Sequence, residues 1–265
     1  MSEAETQTAD FAHADIGIVS ALPIELAAFF DRCEKVRRYS GDDFSFRGGR
    51  YDRIRIVAAH CGMGFARARR ATHALIDAHS PPWVLSCGFS GALAPEIACG
   101  HVVMANAICD QHGNELKIDL NLPDNPKSGV HVGRLLTADA IVRRVDEKKE
   151  LGQKHQAVAV DLESLAVAQV CRERNVRFMA IRVISDDLAA DLPEEILSLV
   201  GSTGSVRFGA ALGAVFKRPS SVKQMWKLRE NANRAAETMA DFLDGVVRQL
   251  YNATVKEEVL RDPPK

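Results

Sequence analysis

The sequence predicts an α/β fold, a three-layer α/β/α sandwich around a central mixed sheet. Three observations carry that expectation. Short apolar runs alternate with helical patterns along the 265 residues. Several of those runs close on glycine or acidic residues, the layout of strand ends in open α/β sheets. No shift in composition marks a linker and no internal repeat is visible, so one domain over residues 14–251 accounts for the chain.

In chain order, Ile16–Ser20 is a short apolar strand. Pro23 suits the first turn of a helix, and Ile24–Phe30 continues at helical spacing. Ile54–Ala59 is a second strand, closed by Cys61-Gly62-Met63-Gly64, and Phe65–Ala78 is a helix rich in Ala and Arg. Trp83–Cys87 is a third strand, closed by a Gly88-Phe89-Ser90-Gly91 turn, and His101–Ile108 is a fourth. Asp110–Ser128 is polar with two prolines and reads as an excursion or a hairpin, which makes the sheet mixed. His131–Leu136 predicts a strand and Ala138–Leu151 a helix. Val158–Val160 and Phe178–Ile184 are strands joined by a helix over Leu162–Arg174. Pro193–Phe216 and Ser220–Tyr251 are mostly helical, broken near Pro219. Met1–His13 and Lys256–Lys265 read as loose polar tails.

The bulk numbers narrow the function. The chain is 46% hydrophobic, and Lys+Arg 34 against Asp+Glu 35 leaves a net charge of −1. No global field favours nucleic acid or an anionic membrane. No run approaches the ~20 apolar residues of a membrane helix. No basic start with an apolar core marks a secretory signal, so a cytoplasmic protein is expected. The six cysteines are scattered without a CxxC pair and read as small core residues. The eight histidines lack ligand spacing, so no metal is expected.

The chemistry concentrates in Ala157–Asp187. One apolar run ends on Asp161 and Glu163, and another on Ser185, Asp186 and Asp187. Carboxylates at strand ends can hold sugar hydroxyls or donate a proton. Asp161 also fits a helix N-cap, and Arg182, four residues before Asp186, also fits a structural ion pair with it. Gly62-Met63-Gly64 lets backbone approach a ligand at a helix N-terminus, or simply makes a tight turn. It is not a dinucleotide fingerprint, because Arg67 replaces the third glycine. Around Gly88 and Phe89 backbone amides could bind a substrate oxygen, with Ser90 adding a hydroxyl. One residue between Gly88 and Ser90 rules against a GxSxG nucleophile elbow. Glu25 follows the first strand and could orient a water or a hydroxyl, or lie on a solvated helix face. Arg67, Arg69 and Arg70 crowd one helix, as a basic face or as phosphate contacts.

Five segments in order resemble the nucleoside phosphorylase/nucleosidase superfamily, closest to its methylthioadenosine/S-adenosylhomocysteine nucleosidase-like branch. They are IGIVSALPIEL (16–26), HCGMGFARA (60–68), SCGFSGALAPEIACGHVVMA (86–105), VAVDLESLAVAQVC (158–171) and IRVISDD (181–187). The resemblance spans about residues 14–250. It implies cleavage of the N-glycosidic bond of a purine nucleoside or 5′-thio-nucleoside, with no cofactor, and a homo-oligomer, most simply a dimer. By position, Asp186 matches the general acid that protonates the purine N7, supported by Ser185 and Arg182. Glu163 matches the acid that holds the ribose hydroxyls, Glu25 the residue that helps activate the attacking water, and Leu162 a methionine that packs on the sugar.

Departures from the family pattern bear on the nucleophile and the base. Phe89 stands where relatives carry a serine that serves phosphate or water, with Ser90 one position off. The arginine that bacterial-type phosphorylases place near Ser86 is missing, and the base-stacking phenylalanine falls at Ala140 or Ile141. Water is therefore expected in place of phosphate. The alternatives are a phosphorylase using Arg67 or Arg69, and a non-catalytic nucleoside-binding protein on the same fold. An apolar residue at position 89 is also similar to the hopanoid-associated branch.

Overall fold

The computed structural model describes residues 13–41, 44–119, 124–194, 196 and 219–261. Among the described residues ten strands join in one mixed sheet. They are β1 (Ile16–Ser20), β2 (Glu34–Gly41), β3 (Phe44–Tyr51), β4 (Ile54–His60), β5 (Trp83–Ala92), β6 (Val102–Asp110), β7 (Glu115–Lys117), β8 (Val130–Thr137), β9 (Ala159–Asp161) and β10 (Arg177–Asp186). The helices are α1 (Ala27–Asp31), α2 (Phe65–His79), α3 (Val145–His155), α4 (Ser164–Glu173) and α5 (Pro219–Arg261), with a 3₁₀ turn at Pro23–Leu26.

The order β10-β6-β8-β9-β5-β1-β4-β3-β2 carries an extra pairing, β10 on β5. Five strands (β5, β10, β6, β8 and β9) therefore close a ring fused to an open sheet. Strand β5 belongs to both, with β1 along its first half and β9 at its end. On β5, Gly91 is the register partner of Asp186 on one side and Val160 on the other. That one residue brings the two acid-tipped strands together, although neither pairs with the other.

Two helical layers cover the sheet. On one face α2 and α4 pack over a core that includes Leu75, Val84, Val167 and Val170. On the other, α5 lays Met239, Leu243, Val247 and Leu250 against Ile18, Phe29, Leu85 and Ile181. Those α5 positions recur every three or four residues, the stripe that hydrophobic burial selects. The three-layer expectation holds.

Local boundaries differ where long-range pairing overrides local pattern. The expected turn at Gly88–Gly91 is strand, because β10 pairs with β5 through Gly91 and β9 continues the ladder. The helix expected from Ala138 begins at Val145. Ala138 instead donates its N–H to Asp161 O at 2.7 Å, and the Asp191 carboxylate accepts the Val145 N–H at 2.7 Å. The β2–β3 hairpin was not foreseen: β2 reads EKVRRYSG, a charged edge strand with little apolar alternation. Helix α5 opens on Pro219, as a first-turn proline permits, and runs past Tyr251 into the charged segment expected as a tail. The expected excursion contributes β7, which turns back to pair antiparallel with Ala107, Ile108 and Cys109 of β6. The segments 1–12, 197–218 and 262–265 lie outside the described residues, and with them most of the helix expected over Pro193–Phe216.

Candidate active site

Strand β1 delivers the chain into the 3₁₀ turn and buries Glu25 at 4% exposure. Its Oε2 accepts the Leu22 N–H at 2.7 Å and its Oε1 the Phe89 N–H at 2.9 Å. Burial raises the Glu25 carboxyl above its ordinary value, and the two backbone donors and the Arg182 charge oppose that rise. Gly88 makes the seat possible, since a Cβ there would meet Glu25 Oε1 at 2.7 Å.

Asp161 and Glu163 diverge because the strand ends between them. Asp161 turns beneath the site and accepts Thr137 Oγ1 at 2.8 Å, the Ser164 N–H at 3.1 Å and Arg182 Nε at 2.8 Å. It thus satisfies the first N–H of α4, although Glu163 and not Asp161 is the N-cap residue, and it neutralises Arg182, which is 2% exposed. Arg182 also donates to Ser86 O and Ser86 Oγ, at 2.9 and 2.8 Å. The expected pairing of Arg182 with Asp186 is corrected here: the guanidinium faces Asp161, and Asp186 has another partner. Glu163 Oε1 accepts the Gly64 N–H at 2.7 Å, tying the helix start to the Gly62-Met63-Gly64 loop. Burial, and then the Asp161 charge, push the Glu163 carboxyl up to about 8.

Asp186 ends β10. Ser185 Oγ donates to its Oδ1 at 2.7 Å, and Lys148 Nζ, reaching in from α3, donates to its Oδ2 at 2.5 Å. Lys148 was missed in the sequence, where Glu147-Lys148-Lys149-Glu150 reads as a solvated run. The available signal was its helical register with Leu151 and Gly152, which turns it inward.

One cavity joins these groups. Glu25, Phe89, Ser90, Asp161, Leu162, Glu163, Ser185 and Asp186 all line it. Gly62, Gly88 and Arg182 do not: the Gly62 N–H bonds Ala21 O at 2.9 Å, and the other two lie behind the wall. Met63 lines it in place of Gly62. The Ser90 hydroxyl donates to Val160 O at 2.8 Å. Ala140, Ile141 and Val142 form an aliphatic wall, and Phe89 is the one aromatic ring among the described lining residues. Arg67, Arg69 and Arg70 are not part of the lining: Arg69 pairs with Glu173 at 2.8 Å, Arg67 donates to Cys61 O at 2.5 Å, and Arg70 stands over the Phe44 ring. Among the described residues no three His, Cys, Asp or Glu side chains group to hold a metal ion.

The family model described as the phosphorylase superfamily matches residues 15–126 and 127–248. The chain belongs to the phosphorylase superfamily. This superfamily chain is 22% identical over 231 residues to the 5′-methylthioadenosine/S-adenosylhomocysteine nucleosidase of Staphylococcus haemolyticus, across 78% of this chain and 96% of that protein. It is 24% identical over 225 residues to the nucleosidase of the same name from Tolumonas auensis, across 74% and 98%. Among solved structures, the Helicobacter pylori 5′-methylthioadenosine/S-adenosylhomocysteine nucleosidase with butyl-thio-DADMe-Immucillin-A superposes at TM-score 0.67 and 18% identity, covering 89% of this chain and 99% of that one. Futalosine hydrolase from the same organism superposes at TM-score 0.66 and 17% identity, covering 91% and 99%. At such identities the structures establish the shared fold. The phosphorylase-superfamily frame is what sets Glu25, Glu163 and Asp186 around one cavity.

Proposed function

We propose that this protein cleaves the N-glycosidic bond of a purine nucleoside or 5′-thio-nucleoside, with water as the nucleophile. The observation that carries the proposal is the convergence of Glu25, Glu163 and Asp186 on one cavity from three separate elements. Breaking a glycosidic bond to a purine leaves positive charge on the sugar and negative charge on the base. Asp186, at the open end of β10, hands a proton to the leaving base, a step worth roughly 10²–10⁴-fold. Glu163 accepts hydrogen bonds from the ribose hydroxyls. Glu25, held by two backbone donors, orients the attacking water and takes its proton.

Two features favour water over phosphate. Among the described lining residues there is no arginine, lysine or histidine to hold a phosphate dianion. The nearest buried arginine, Arg182, is committed to Asp161 and Ser86, while Arg67, Arg69 and Arg70 lie outside the lining. The relatives named as 5′-methylthioadenosine/S-adenosylhomocysteine nucleosidases support the same substrate class. The aliphatic wall at Ala140–Val142 favours an apolar substituent on the nucleoside.

The test is adenine release from 5′-methylthioadenosine by the purified protein, with and without phosphate. Release without phosphate is expected, and D186N should lower kcat by about 10²-fold or more. Wild-type turnover by D186N refutes the assigned acid, and strict phosphate dependence selects a phosphorylase. A homodimer and a cytoplasmic location belong to the same proposal, and sedimentation of the purified protein tests the first. Among the described residues no helix is long and apolar enough to cross a membrane.

A further inference from the structure

Lys148 has no part in the roles assigned above, yet it is the most deeply buried charged side chain near the site, at 0% exposure. A lysine is seldom fully buried without a partner. Its partner is the carboxylate assigned as the acid: Nζ stands 2.5 Å from Asp186 Oδ2, with Asp187 O at 3.4 Å as a further acceptor.

The passage for this side chain is built by two glycines. A Cβ at Gly91 would crowd Asp186 Oδ2 at 3.0 Å and lie 3.4 Å from Lys148 Cε. A Cβ at Gly152, one helical turn beyond Lys148, would strike Leu93 O at 2.7 Å. Gly152 lets α3 lie directly on the β5 exit, and Gly91 leaves the slot that the lysine stem fills. The Asp191 carboxylate on the Val145 N–H holds the first turn of the same helix.

Both oxygens of Asp186 therefore accept hydrogen bonds in the resting site, one from a hydroxyl and one from an ammonium. The ammonium is thus a proton source within hydrogen-bond reach of the carboxylate that faces the leaving base. We infer that Lys148 is a positioning residue for Asp186 and holds the proton that Asp186 delivers to the leaving base. This rests on the glycosidic-cleavage reading above. As the bond to the sugar breaks, an Nζ–H bond of Lys148 breaks and an Oδ–H bond of Asp186 forms, while Asp186 passes a proton to the base nitrogen. Lys148 ends as a neutral amine and Asp186 as a carboxylate. The water adds its hydroxide to the sugar carbon and its proton to Glu25. That proton returns to Lys148 through solvent after the products leave, so charge balances over the cycle.

The experiment is steady-state kinetics of adenine release from 5′-methylthioadenosine for wild type, K148Q, K148M, D186N and D186N/K148Q. Gln keeps a hydrogen-bond donor for Asp186 but has no proton to release, and it remains the test if K148M does not fold. Expected are kcat losses of about 10²-fold or more in K148Q and K148M, KM within about threefold of wild type, and no further loss when K148Q is added to D186N. A K148Q enzyme near wild-type kcat overturns the proton-holding role, and an equal K148Q loss on the wild-type and D186N backgrounds overturns action through Asp186. Wild-type protein that releases no adenine removes the glycosidic-cleavage reading itself, whereas wild-type turnover with an unimpaired K148Q removes only the role of Lys148.

Discussion

Gly88→Ala isolates the seat of Glu25. The added Cβ would stand 2.7 Å from Oε1 and 3.2 Å from the carboxyl carbon, whereas ordinary contact starts near 3.4 Å. The carboxylate must retreat by about 0.7 Å, the difference between those distances. That retreat stretches the 2.9 Å bond from the Phe89 N–H, and leaving a buried donor unpaired costs about 1–3 kcal/mol. Gly88 lies in β5 with no positive φ, so the alanine itself returns about 0.4–1 kcal/mol through the unfolded chain. The net is a loss of about 1 kcal/mol, or roughly 3 °C in Tm for a chain of this size. If Glu25 orients the water as proposed, a shift of its carboxylate on this scale also lowers kcat/KM by up to about 10²-fold. The assays are thermal unfolding and adenine release, in wild-type and Glu25→Ala backgrounds. With Glu25 truncated the Cβ has room, so G88A should cost nothing there or stabilise slightly. G88A at wild-type Tm and activity, or an equal loss in both backgrounds, would refute the steric argument.

The remaining predictions probe the buried charges. Glu163 is pushed up to about 8 by burial and by Asp161, so the native state keeps a proton that the unfolded chain releases near 4.5. The resulting stability is complete below pH 4.5 and is lost as pH rises through 8, with a slope of up to about 1.4 kcal/mol per pH unit. E163Q cannot release that proton, and thermal melts from pH 5 to 8 should show a flatter profile than wild type; an unchanged slope would count against it. R182M strands Asp161, which is 5% exposed, and should cost about 3–5 kcal/mol in urea unfolding. Adding D161N should recover most of that loss, and a double variant as unstable as R182M alone would contradict the pairing.

Much of the frame was legible along the chain because it is written in local pattern. Apolar runs marked β1, β4 and β10, and their closing residues marked where a crevice opens. The β2–β3 hairpin was not legible, because its charged edge strand carries too little alternation to stand out. Gly88 and Gly91 read as turn residues because glycine is ambiguous locally. Their reason lies across the fold, where the Glu25 and Asp186 carboxylates occupy the space a side chain would need.

The sequence by itself determined the α/β class, the order of elements and the placement of Asp161, Glu163 and Asp186 at strand ends, since period and end residues are properties of neighbours in the chain. Only the tertiary structure decided the partners: Arg182 to Asp161, Lys148 to Asp186, and Glu25 over Gly88. Those choices depend on which strands flank β5 and how closely α3 can approach it, and distances of a few ångströms between residues far apart in sequence leave no periodic trace.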